Sequence, residues 1–355
     1  MRLARADLAL IGYGNVARRF VRLLEERREW LARACDLDCR VVGVATRTHG
    51  GWFDPRGVDF TQLDREGRQP SERQSTAPHI IESLGRSDAP LRVVIETTTL
   101  DIRSGQPAID HARAAIAAGC HVVTANKGPV AFAYSELRDA AAAAGVRFLF
   151  EGAVMDGVPI FNLVRETLPA LEILGFRGVI NSTTNHILTA LEHGDDFNAA
   201  LARMQAEGIA EADPSLDVDG WDAAAKTSAL ANVFMEACIT PHDVRRTGIG
   251  AQDGARARQA VSRGLKLKLV ASAVRAADGT ISASVEPLEL AHDDLLAALA
   301  GKANALVLRT DLLGEIAICQ LDGSLTHTAY ALLSDLVTIQ RGRPALAEAR
   351  VRRNL

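Results

Sequence analysis

Over the first 150 residues, short continuous apolar runs alternate with segments whose apolar positions recur every three or four residues. Leu8–Ile11 predicts a strand, and Val16, Phe20, Leu23 and Leu24 mark one face of the helix that follows. The same rhythm predicts strands at Arg40–Ala45, Arg92–Thr98, His121–Lys127 (running into a loop) and Val146–Gly152. Helices are expected at Pro107–Ala118 and Ser135–Ala144. Gly50–Pro90 breaks the rhythm, being rich in Gly, Pro, Asp, Arg and Ser, and predicts an irregular excursion with one short helix. Strands that are apolar throughout belong to a parallel sheet covered on both faces. The expected fold of this part is α/β and doubly wound.

The texture changes after Phe150. Leu171–Leu188 predicts strand, turn and helix, and helices are expected at Asn198–Gly208 and Gly220–Ala237. "LKLKLVASAV" and "ISASVEPLEL" alternate as strands with one exposed face do, and "NALVLRT" and "GEIAICQ" predict two more strands. Helices and strands are segregated here, as in an α+β domain. The last 15 residues, from Arg341, carry five arginines and no apolar period, and are expected to form a mobile tail.

Composition narrows the function. With 355 residues the chain is too long for one small core and suits two domains. A net charge of -4 gives no basic field for nucleic acid or an anionic membrane. No apolar run approaches the roughly 20 residues that span a bilayer, and the N-terminus lacks the cleavage site of a signal peptide. The five cysteines (Cys35, Cys39, Cys120, Cys238 and Cys319) are scattered, offer no second pair for a zinc site, and suit reduced thiols in the cytoplasm. None occupies a strand-to-helix turn, which disfavours a cysteine-dependent aldehyde dehydrogenase.

Between the first strand and helix stands "GYGNVA". Gly12 permits a tight turn, Gly14 lets backbone approach a pyrophosphate, and Ala17 lets the helix pack closely on the strand. The free N–H groups of the helix N-terminus then face the phosphates. In this strand–turn–helix setting the motif predicts a Rossmann-type dinucleotide site, with Asn15, Val16, Thr97 and Thr98 as further cofactor contacts. An NAD-specific enzyme usually carries an acid after the second strand, whereas here Thr46, Arg47 and Thr48 stand there. A guanidinium suits a 2′-phosphate, so Arg47 favours NADP, with NAD as the alternative.

The second chemical signal is "EADPSLDVDGWDAAAKTSALANVF", residues 211–234. Asp222 and Lys226 at i,i+4 could be an ordinary helix ion pair. Yet Lys226 lies in a largely apolar helix behind an acidic loop, the setting of a functional amine. A lysine of lowered pKa could take a hydroxyl proton, and carboxylates could hold a substrate ammonium. An EF-hand reading of "DVDG" fails, because Lys226 falls where a bidentate Glu is required. His186 is expected to pack or hydrogen-bond, and Trp221 to line the core or pocket wall.

Together with "TANKGPVA" (124–131), "EGAVMDGVPI" (151–160) and "NSTTNHIL" (181–188), the segment 208–226 resembles the homoserine dehydrogenase family over residues 8–338. The resemblance implies a Rossmann cofactor domain at 1–150 and an α+β substrate and dimerisation domain at 151–310. It further implies a return to the cofactor domain at 311–340, with the basic tail at 341–355. It implies NAD(P)-linked interconversion of L-homoserine and L-aspartate 4-semialdehyde by a homodimer. By motif position, Lys226 would be the acid/base, with Lys127 beside substrate and nicotinamide. Glu211, Asp222 and Asp217 would bind substrate. A sodium or similar ion would sit at Glu151, Val154, Asp156 and Val158, mostly on backbone carbonyls. Two departures stand out. Met155-Asp156 replaces a double glycine, and "QLDGS" (320–324) replaces a glycine-rich turn near the cofactor. They motivate one rival, a dehydrogenase of a related hydroxy (amino) acid; a second, of a different class, is a non-catalytic NADP-binding homologue on the same fold. Retention of both lysines and the carboxylates argues against the second.

Overall fold

A computed structural model of the chain describes residues 3–61, 76–206 and 213–342. The first sheet follows the order β3-β2-β1-β4-β5-β6. Its strands are β1 (Ala4–Ile11), β2 (Leu37–Thr46), β3 (Gly50–Phe53), β4 (Leu91–Glu96), β5 (His121–Thr124) and β6 (Phe148–Leu149). All neighbours are parallel except β2 and β3. Fully buried runs such as Leu8–Leu10 and Val93–Ile95 explain the continuous apolar strands, because helices cover both faces. Those helices are α1 (Asn15–Cys35), α2 (Ala77–Gly85), α3 (Ala108–Ala117) and α4 (Gly128–Ala143). The strand order reverses between β1 and β4, and a crevice opens beyond their C-terminal ends, where open α/β sheets bind ligands.

The second sheet has the order β12-β11-β7-β9-β10-β8. It comprises β7 (Ile173–Val179), β8 (Arg245–Arg246), β9 (Leu265–Arg275), β10 (Ile281–Ala291), β11 (Asn304–Thr310) and β12 (Glu315–Gln320). Every pairing is antiparallel except β8 with β10. Helices α5 (Phe161–Thr167), α6 (Ser182–Glu192), α7 (Phe197–Ala206), α8 (Ser215–Val218), α9 (Trp221–Met235) and α10 (Asp253–Ser262) accompany it. Along β9, Leu267, Leu269, Ala271 and Ala273 face the helices in the main core. The last helix, α11 (Leu325–Arg341), returns to the first sheet and packs on α1 through residues such as Ala329, Leu332 and Leu336.

The α/β class with a second α+β layer is the expected one, but several elements differ. Within Gly50–Pro90, residues 62–75 lie outside the described residues, α2 is the expected short helix, and β3, which was not expected, pairs with β2 across a hairpin. The two glycines of "GGWF" disguise the strand, which forms by pairing with β2 at the sheet edge. Helix α4 begins seven residues before Ser135, with Pro129 in its first turn and a break at Ala133. Only Phe148 and Leu149 of the expected 146–152 strand pair with β5, and Glu151–Ala153 coils into a 3-10 turn. Helices α5 and α10 and strand β8 were not anticipated. The tail expected at 341–355 begins later than predicted, since Arg341 ends α11 and Gly342 caps it, and its remaining residues, like Glu211, lie outside the described residues.

Candidate functional site

The glycine turn forms as its sequence requires. Gly12 has φ +94°, and a Cβ there would stand 2.8 Å from the Thr97 backbone. Thr97 closes the contact by donating its hydroxyl to the Gly12 carbonyl at 3.1 Å. Gly14 is the N-cap of α1, with no side chain capping the helix, and a Cβ on it would meet no protein atom within 4 Å. Backbone N–H groups therefore face open space at the crevice, an arrangement that fits a dinucleotide pyrophosphate. Asn15 and Val16 open that helix. Arg47 stands exposed in the turn of the β2–β3 hairpin.

From this helix end a cavity of about 250 Å³ runs to Lys226. Val16, Thr97, Thr98, Lys127, Asp156 and Thr328 share its wall. Asn126 shapes it. Its amide donates to the Thr98 carbonyl at 3.0 Å, and its Oδ1 accepts the Gly128 N–H at 2.8 Å, which ties the end of β4 to the start of α4. Thr98 donates its hydroxyl to the buried Glu96, and Thr124 does the same at 3.0 Å.

Asp222 is the electrostatic centre behind the cavity. Lys127 Nζ lies 3.2 Å from its Oδ1 and Lys226 Nζ 3.0 Å from its Oδ2. Lys226 also donates to the Ile180 carbonyl at 2.7 Å. The i,i+4 pair on α9 is thus no isolated surface contact, because a second lysine from a different sheet shares the same carboxylate. Asn181 completes the group. Its Nδ2 donates to Asp217 at 2.7 Å and to Asp222 at 2.9 Å, while its Oδ1 accepts the Thr184 N–H at 2.9 Å as the N-cap of α6. Its capping role positions it to bridge two acids.

Burial works against ionisation of Asp222, but Lys127, Lys226 and Asn181 outweigh it and hold the carboxyl well below its usual range. Burial also disfavours the Lys226 ammonium, yet Asp222 more than compensates and its pKa is raised. This corrects the expectation of a lowered Lys226 pKa, which considered burial and cations but not the adjacent carboxylate. Burial and then the neighbouring Asp222 push Asp217 upward.

Glu151 and Asp335 form a buried acidic pair beneath the 151–158 loop. Glu151 Oε1 and Oε2 accept the N–H groups of Phe161 and Asn162 at 2.9 and 2.6 Å. Asp335 accepts the Glu151 N–H at 2.8 Å and the Asn162 amide at 3.1 Å. Burial and then Asp335 push Glu151 up to about 7, and burial pushes Asp335 up to about 6. Among the described residues no cationic side chain forms an ion pair with either. The Glu151 side chain is therefore committed, and a cation would have to use carbonyl oxygens of this loop. The Val158 carbonyl already accepts the Ile160 N–H at 2.9 Å. No cluster of acidic, His or Cys side chains suited to a metal exists among the described residues.

Of the predicted site residues, Val16, Thr97, Thr98, Lys127, Val154, Asp156 and Lys226 meet at one cavity. Asp217 and Asp222 lie behind its lysines, Arg47 and the glycine turn lie towards its cofactor end, and Glu211 is outside the described residues. Trp221 stacks under the Arg246 guanidinium at 3.9 Å. His186 is half-buried, with a buried Nδ1 lacking a described partner. Sequence reasoning missed Asn126, Asn181 and Thr328. Asn181 carried a signal as a residue suited to capping, before a polar-led helix.

Comparison with known proteins accounts for both halves of the molecule. The family model "Homoserine dehydrogenase, NAD binding domain" matches residues 12–151, and "Homoserine dehydrogenase" matches residues 159–337. The chain belongs to the homoserine dehydrogenase family. It is 36% identical over 337 residues to a curated protein of Pseudomonas canavaninivorans named NAD(+)-dependent homoserine dehydrogenase, covering 94% of this chain and 96% of that one. The homoserine dehydrogenase of Sulfurisphaera tokodaii is 33% identical over 334 residues, covering 94% and 98%. The solved homoserine dehydrogenase of Thiobacillus denitrificans superposes with a TM-score of 0.79 at 30% identity, covering 95% of this chain and 73% of that one. The two matched ranges cover the turn at Gly12 and the layer that carries Lys226.

Proposed function

We propose that this protein is a homoserine dehydrogenase that interconverts L-homoserine and L-aspartate 4-semialdehyde with a nicotinamide coenzyme. The observation that carries the reading is the shared carboxylate of Asp222. It fixes two lysines from different layers of the fold at one cavity, which also reaches the N-terminus of α1. The bound coenzyme supplies the two-electron acceptor or donor. Gly12, Gly14, Asn15 and Val16 hold its pyrophosphate end, and Thr97, Thr98 and Lys127 flank its nicotinamide end. Arg47 favours a 2′-phosphate and hence NADP. The NAD(+)-dependent relative is the reason to measure both coenzymes.

In alcohol oxidation Lys226, as the free amine, accepts the C4 hydroxyl proton. In aldehyde reduction its ammonium returns that proton to the oxygen. Lys127 stabilises negative charge on the same oxygen. Asp222 orients both amines, and its Oδ1, which among the described residues accepts only Lys127, keeps a lone pair for the substrate ammonium. Glu211 and Asp217 complete the anionic side that receives this ammonium. A monovalent cation such as sodium, held by main-chain oxygens of Glu151, Val154, Asp156 and Val158, would offset the buried Glu151–Asp335 charge.

A homodimer is supported by the second sheet. Val274 and Leu288 occupy the face opposite its helices and are 41% and 38% exposed. A cytoplasmic location is supported by five cysteines that are all free. Among the described residues no helix is long and apolar enough to cross a membrane. The test of function is oxidation of L-homoserine by purified protein, followed through the absorbance of the reduced coenzyme. Inactivity with homoserine but turnover of a related hydroxy acid would transfer the mechanism to that substrate.

A further inference from the structure

Asp156 holds φ +48°, a region that non-glycine residues seldom occupy and that carries a conformational cost. Its carboxylate is gripped at both oxygens. Gln320 Nε2 donates to Oδ2 at 2.9 Å, and Thr328 Oγ1 donates to Oδ1 at 3.1 Å. Gln320, at the end of β12, is only 4% exposed. The surrounding backbone is interlocked. A Cβ on Gly157 would stand 2.5 Å from the His327 carbonyl oxygen, and one on Gly323 would stand 2.7 Å from Asp156 Oδ2. The two unusual segments noted in the sequence, Met155-Asp156 and 320–324, are therefore one structural unit. It fixes a carboxylate on the cavity wall before any ligand arrives.

An ionised carboxylate only accepts hydrogen bonds, and each oxygen has two lone pairs. One pair per oxygen remains after Gln320 and Thr328 are served. Asp156 is the one carboxylate on the described cavity wall, and the other charged groups there, Lys127 and Lys226, only donate. The Asn126 amide is spent on Thr98 and Gly128. The substrate oxygen has the lysines as partners. The substrate ammonium is assigned to Asp222, Asp217 and Glu211, so the donor left in need of an acceptor is a primary amide, whose N–H groups are costly to bury unpaired. The nicotinamide carboxamide is such an amide.

We propose that Asp156, fixed by Gln320 and Thr328, accepts a hydrogen bond from the carboxamide N–H of the bound nicotinamide coenzyme. This deepens the proposed function and rests on it only for the presence of the coenzyme.

Dissociation constants test it without substrate. The oxidised coenzyme is compared by calorimetry with its 3-acetylpyridine analogue, in which a methyl group replaces the amide nitrogen. The wild-type protein is expected to bind the carboxamide form about tenfold or more tightly than the analogue, the scale of one charge-assisted hydrogen bond. Asp156→Gly, which suits the positive φ, is expected to bring that ratio close to one by weakening the coenzyme alone. Asp156→Asn keeps a neutral acceptor of the same shape and is expected to give an intermediate ratio. An unchanged ratio in Asp156→Gly overturns the proposal. So does an equal loss for both ligands, which would show that Asp156 only braces the loop. Failure of homoserine turnover with the predicted ratios intact would refute the substrate and leave Asp156 in its role.

Discussion

The chemistry hinges on how one carboxylate divides itself between two amines. Lys226→Met removes the proposed proton carrier without touching the glycine turn. Turnover is expected to fall about 10²–10⁴-fold, with coenzyme dissociation nearly unchanged. Steady-state kinetics beside a binding titration check this, and near-wild-type turnover would return Lys226 to a mere ion pair. Because Asp222 raises the Lys226 pKa, the amine is charged at neutral pH, and kcat/KM for alcohol oxidation should rise with pH into the alkaline range. Asp222→Asn removes the attraction that stabilises the ammonium, so the alkaline limb should move to lower pH. A pH profile that keeps its midpoint would contradict this linkage. The same substitution, like Glu211→Gln, should raise KM for the amino-acid substrate at least tenfold, since a charge-assisted hydrogen bond contributes about 1.5–3 kcal/mol. Arg47→Asp should shift the ratio of specificity constants from NADP towards NAD, and an unchanged ratio would mean that Arg47 serves only solvent. At this scale the sequence revealed residue types and order, so Lys127, Asp222 and Lys226 were legible. Their sharing of one carboxylate was not, because Lys127 and Asp222 are 95 positions apart in the chain and meet only through tertiary packing.

Elements that carry strong periodicity were readable, and those made by context were not. Strands β1, β4, β7, β9 and β10 announced themselves through apolar runs or alternation. Strand β3 did not, since two of its four residues are glycine and its stability comes from pairing with β2. Helix α10, with "DGARARQAVS", has too few large apolar residues to show a face, and buries mainly Gly254, Ala257 and Ala260. The 151–153 turn breaks an apolar run because the Glu151 N–H is drawn to Asp335. The coenzyme turn gives the sharpest prediction at this scale. Gly12→Ala would force a Cβ against the Thr97 backbone at 2.8 Å and strain a φ of +94°. Coenzyme affinity should fall at least tenfold, and the melting temperature should drop too. A titration calorimeter and a thermal melt check both, and an unaffected affinity would place the coenzyme elsewhere.

At the scale of the molecule, the two sheets divide the labour. The first presents a helix N-terminus and Lys127, the second presents Asp222 and Lys226, and α11 returns from β12 to brace the first sheet. The fold class was legible because parallel and antiparallel strands leave different apolar patterns. The bond between Asp156 and Gln320, which joins the 151–158 loop to the end of β12, was not legible. If the face bearing Val274 and Leu288 packs on a second copy, as proposed, Val274→Glu should shift the protein towards monomer in analytical ultracentrifugation. The most direct test of the whole account is a single assay of L-homoserine oxidation, run with wild type and Lys226→Met side by side, following reduced coenzyme with NADP and with NAD. Substrate-dependent reduction by the wild type, lost by at least about a hundredfold in the mutant, is the predicted result. Wild type that binds coenzyme yet leaves homoserine untouched, or a mutant as active as wild type, would contradict it.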